Sequence, residues 1–105
     1  MNPDLIQAKY DELESIATRF GQWADSNAEM SSRLRQCAEK LINGDWIGKG
    51  AEAFSAEMNG ELLPAMQRLI VALEKARTVT LEVKNIIQEA EEEAASLFRN
   101  GGAGV

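Results

Sequence analysis

The chain reads as all-α: an antiparallel two-helix hairpin that completes its core by pairing into a four-helix bundle dimer. Three observations predict this. Apolar residues recur at spacings of three and four through both halves. A glycine-rich break, Asn43-Gly44-Asp45-Trp46-Ile47-Gly48-Lys49-Gly50, divides those halves near mid-chain. No stretch alternates with the period of a strand. At 105 residues this is one domain.

The first helix is expected over about residues 4–42, with Asp4 after Pro3 as its start and Asn43-Gly44 as its stop. Leu13, Ile16, Phe20, Trp23, Asn27, Met30, Leu34, Cys37 and Leu41 form a heptad seam. At about 1.5 Å per residue the rod spans roughly 55–60 Å, which suits an elongated bundle. Ala17, Ala24, Ser31 and Ala38 run beside the seam at intervals of seven, and side chains this small let a neighbouring helix come close. Asn27 either pairs across the bundle or reaches water. Cys37 reads as a small apolar core residue, because free cysteine is usually buried.

Residues 43–50 form the reversal. Glycine supplies the φ > 0 conformations that a tight turn needs. An indole is costly to leave wet, so the ring of Trp46 is expected between helix ends. Trp46 and Gly48 are therefore the turn motif.

The second helix is expected over about residues 51–98. Phe54, Met58, Leu62, Ala65, Leu69, Ala72, Ala76, Val79, Val83, Ile86, Ala90 and Leu97 continue the seam period. Leu63, Met66, Ile70 and Leu73 lie one position around. A single partner helix covers only part of so wide a face. The surplus, left wet, forfeits about 1.5–3 kcal/mol per large side chain. Leu63, Met66, Leu69, Ile70 and Leu73 are accordingly assigned to a dimer interface. Pro64 predicts a bend or break near 59–64, with the apolar phase carrying on across it. Residues 99–105 are expected to form a flexible tail.

Composition excludes several functions. Net charge is −6, with five basic and eight acidic residues before Trp46 and six and nine from it onward. No basic stripe exists to capture nucleic acid. There is no histidine, so triads that use it and Glu-x-x-His metal pairs are ruled out. No phosphate loop is present, and the run Glu91-Glu92-Glu93 reads as a solvated face. No enzyme activity, cofactor or metal is expected. The longest aliphatic run, Leu69 to Leu73, is far too short for a membrane span. The polar, acidic N-terminus does not resemble a signal peptide. By that test the chain is cytoplasmic, or leaves the cell by a route that reads no such peptide.

These features together resemble the WXG family, small helical-hairpin proteins of type VII (ESX) secretion in bacteria. The likeness rests on Trp46-Ile47-Gly48 at mid-chain, on GAEAFSAEM with Phe54 followed by Pro64, and on the size and acidic balance. It implies a secreted or secretion-associated protein that pairs with itself, or with a related hairpin, and is handled by a type VII ATPase or channel. It also implies a C-terminal recognition strip at Ile87, Glu91, Ala94 and Phe98, whose spacing puts them on one helical face. One departure is plain. The export motif Tyr-x-x-x-Asp/Glu after the second helix is missing, and Tyr10 and Glu14 match its letters only at the opposite end. This fits a self-pairing member, or an untagged partner of a tagged one. The rival reading is a cytoplasmic adaptor or chaperone that binds a partner helix through Leu63, Met66, Ile70 and Leu73.

Overall fold

A computed structural model describes residues 3–44 and 47–103. Helix α1 spans Pro3–Asn43. The second arm comprises α2, Lys49–Glu57, a π-helical turn over Met58–Leu62, and α3, Leu63–Ala103. No strand occurs among the described residues. The arms lie side by side in a rod of 84 × 21 × 14 Å with a radius of gyration of 23.7 Å. A compact chain of this length would have a radius near 13 Å. Such a shape has no central core, and each arm buries only one narrow stripe.

That stripe on α1 is Tyr10, Ala17, Ala24, Ser31 and Ala38, spaced by sevens and all buried. Ala17 and Ala24, each 2% exposed, are the most enclosed of the described residues. Their small side chains let the arms approach closely, while the bulkier seam stands to one side. On the second arm the buried stripe is Ala51, Met58, Leu63, Met66 and Ile70. Ala38, Met58 and Leu63 form a core cluster near the turn, with Leu34 and Phe54 packed against it.

The π turn explains this phase. Met58 and Leu63 are both buried although five residues apart, a spacing that an α-helix sends to different faces. The Leu63 N–H donates to the Met58 carbonyl, five residues back, and this wider turn returns both side chains to one face. Pro64 follows at once. It lacks an N–H, and its ring would crowd the carbonyl four residues earlier, so the wider turn accommodates it without breaking the arm.

Three expectations change. Leu63, Met66 and Ile70 are not an unpartnered strip: they are buried against α1 within one chain, and Leu73 is half-buried. The reason is the residue inserted by the π turn, which shifts the apolar phase where the sequence pattern assumed continuity. Cys37 is exposed rather than in the core, because the small-residue stripe takes the inner position next to it. Helix α3 also runs to Ala103, past Phe98 where a flexible tail was expected to begin.

An apolar face and a C-terminal strip as the candidate site

Four of the five exposed residues of the α1 seam sit one position before a buried one; the fifth, Leu41, precedes half-buried Ile42. Ile16 precedes Ala17, Trp23 precedes Ala24, Met30 precedes Ser31 and Cys37 precedes Ala38. On the second arm Leu62 precedes Leu63, and Leu69 precedes Ile70. One residue is a rotation of about 100° around a helix. Both arms turn away from their buried stripes in the same sense. In an antiparallel pair, that sends both exposed stripes to the same flat side of the hairpin. Val83 and Leu97 extend the heptad spacing from Leu69 toward the open end, and both are exposed.

The middle of this face is ordered. The rings of Phe20 and Trp23 meet edge-to-face, 5.8 Å between centroids and 82° between planes. Trp23 nevertheless stays 53% exposed, an unusual state for an indole. Half-buried Asn27 donates from Nδ2 to the Trp23 carbonyl at 2.8 Å, so its amide is partnered within its own helix.

The turn is held by backbone geometry. Gly48 adopts φ 103°, ψ −169°, a region essentially closed to other residues, and stands as the N-cap of α2. Its carbonyl accepts the Glu52 N–H at 3.0 Å. Gly48 lines an open groove at the hairpin tip together with Ile42, Ile47, Ala51, Ser55 and Gly60. Trp46, the other half of the turn motif, lies outside the described residues.

The C-terminal strip is only partly open. Ile87, Ala94 and Phe98 are exposed, Phe98 at 84%. Glu91 is half-buried, and its carboxylate accepts a hydrogen bond from the hydroxyl of buried Tyr10 on α1. That bond, then burial and the negative charges of Glu91 and Glu92, push the Tyr10 phenol up to about 12. A second cross-arm contact, between Lys84 and Glu14, lies about one to two helical turns nearer the hairpin tip. Sequence reasoning missed both. A faint signal existed, because partners in an antiparallel hairpin have residue numbers with a nearly constant sum, and Tyr10 with Glu91 and Glu14 with Lys84 nearly share one.

Among the described residues no group of three or more His, Cys, Asp or Glu side chains is placed to hold a metal ion. No described helix is long and apolar enough to cross a membrane. The described residues thus form a helical hairpin with exposed apolar side chains along one flat side. The family model for proteins of 100 residues with WXG matches residues 5–92, and the chain belongs to that family, WXG100. The family is associated with type VII secretion. No curated protein and no solved structure matches the chain.

Proposed function

We propose that this chain is a secreted or secretion-associated hairpin of the type VII pathway that works by protein–protein recognition. Two copies pair through their flat apolar faces into an antiparallel four-helix bundle. The resulting rod presents the turn at Trp46 and Gly48, with the strip at Ile87, Glu91, Ala94 and Phe98, to a secretion ATPase or channel. Members of the family pair as dimers, which supports the reading. The observation that carries it is the row Ile16, Trp23, Met30, Leu62 and Leu69, exposed at heptad spacing on one side of the hairpin. Left wet, these side chains forfeit about 1.5–3 kcal/mol each, and a second copy offers the same face in return.

The interface differs from the one expected from sequence. Leu69 stays in it, while Leu63, Met66 and Ile70 belong to the fold of each hairpin. An adaptor that seizes a partner helix through Leu63, Met66, Ile70 and Leu73 loses its binding strip, since α1 already covers it. Sedimentation of the purified chain at micromolar concentration tests the pairing. The wild type is expected as a dimer, and Leu69→Asp as a helical monomer. A monomeric wild type would sink the reading. Blotting of culture supernatant against cell pellet tests export: retention in cells with a working type VII apparatus would count against secretion.

A further inference from the structure

The C-terminal strip is not uniformly accessible. Three of its four members, Ile87, Ala94 and Phe98, are open to a partner, whereas the Glu91 carboxylate is already engaged. Its donor is not a mobile surface group. Tyr10 is 6% exposed, belongs to the buried stripe of α1, and brings its hydroxyl across the hairpin to the opposite arm. A carboxylate that accepts from a buried phenol is a strong, charge-assisted contact. Its Oε2 must give up the phenol before a partner can hold both carboxylate oxygens at once.

We propose that Tyr10 is a latch on the C-terminal strip, holding back the only charged member of that strip until a reader supplies a competing donor. This rests on the strip reading above. The latch sets selectivity through population: a reader's apparent affinity is reduced by the fraction of molecules in which Glu91 is free. An apolar groove that took only Ile87 and Phe98 would not open it. A groove that also carries an arginine or lysine between its apolar pockets replaces the phenol by a stronger partner. Glu89, Glu92 and Glu93 surround Glu91 in sequence, so the local field favours a basic reader of this kind. The buried stripe through Ala17 and Ala24 keeps the arms aligned while the latch is exchanged.

Tyr10 is the sole tyrosine, so phenolate absorbance titrates this one group in the intact protein. In the wild type the phenol is expected to titrate near 12, and in Glu91→Gln distinctly lower. Identical titrations would overturn the latch. Tyr10→Phe keeps the ring and removes only the hydroxyl. It is expected to raise the ratio of supernatant to cell-associated protein about three- to tenfold in cells with a working type VII apparatus, the net scale of one ordinary intramolecular hydrogen bond. Glu91→Gln is expected to lower that ratio. Circular dichroism and sedimentation of both variants confirm helicity and pairing. If Glu91→Gln lowers export while Tyr10→Phe leaves it unchanged or lower, the strip stands and the latch falls. If Glu91→Gln exports as the wild type does, the strip reading fails and the latch with it.

Discussion

The two ends of this hairpin are joined by opposite means. Near the turn the contact between arms is apolar: Ala38, Met58 and Leu63 are enclosed, with Leu34 and Phe54 against them. Toward the open end the contact becomes polar. Tyr10 meets Glu91, Glu14 meets Lys84, and Gln88 is half-buried on the inner side. There the large apolar side chains Val79, Val83, Ile86, Leu97 and Phe98 stand exposed. Apolar burial is lost only by unfolding, whereas a polar contact can be exchanged for a partner's stronger donor with the arms still folded. One end is thus a fixed fold and the other a clasp. The clasp end carries the strip proposed for recognition, in line with the rule that moving parts come from the less stable regions.

The sharpest test of the fixed end lies within one pair of neighbours. Ile70 is 7% exposed and Leu69 is 47% exposed. Ile70→Asp forces a carboxylate between the arms and is expected to cost at least about 3 kcal/mol, seen as collapse of the cooperative thermal transition. Leu69→Asp spares the hairpin. If both variants lost helicity equally, the phase imposed by the π turn would be wrong. At the tip, Gly48→Ala meets no steric neighbour, yet its backbone is left-handed at φ 103°. The strain is expected to destabilise by about 1–3 kcal/mol, read from denaturant midpoints with unchanged slope.

The same π turn marks where the sequence stopped being legible. Fold class, the position of the reversal and the two long arms follow from periodicity and from the glycine cluster. What the pattern could not show was which of two adjacent stripes faces inward. Bulk suggested that Trp23, Met30 and Cys37 point into the hairpin, but two rods with no central core pack best where side chains are smallest, along Ala17, Ala24 and Ala38. On the second arm one inserted residue at 58–62 rotates everything beyond it, so Leu63 and Ile70 turn inward and Leu62 and Leu69 outward. Heptad spacing is blind to such an insertion. The Tyr10–Glu91 clasp was equally hidden, because it joins residues 81 positions apart and depends on the register of the arms.

At the open end, pH probes the clasp. The Tyr10 phenol is raised from 10.0 to about 12 in the folded chain. An acid held protonated by the fold contributes stability that is fully present below its unfolded value and is lost as pH rises through its folded value. Stability is therefore expected to decline between pH 10 and about 12 more steeply in the wild type than in Tyr10→Phe. Hydrogen exchange should localise the loss to the ends of α1 and α3. A loss spread evenly to the turn-proximal cluster would mean the two ends are not separable.

The smallest expected effect addresses the middle of the rod, where one regime gives way to the other. Gly21 on α1 faces Arg77 on α3, and a Cβ placed on Gly21 would lie 3.2 Å from the Arg77 Cδ. Alanine in a helix interior gains about 1 kcal/mol over glycine. Against this, the Arg77 stem must shift by a few tenths of an ångström. That residue is exposed, and its flexible chain has room on the solvent side. Gly21→Ala is expected to raise the melting temperature by a few degrees, in keeping with less than about 1 kcal/mol net gain. A lower melting temperature would show that Arg77 cannot yield. The tight packing of the turn-proximal half would then extend past Gly21, and the clasp would be confined to the turns around Tyr10 and Glu14.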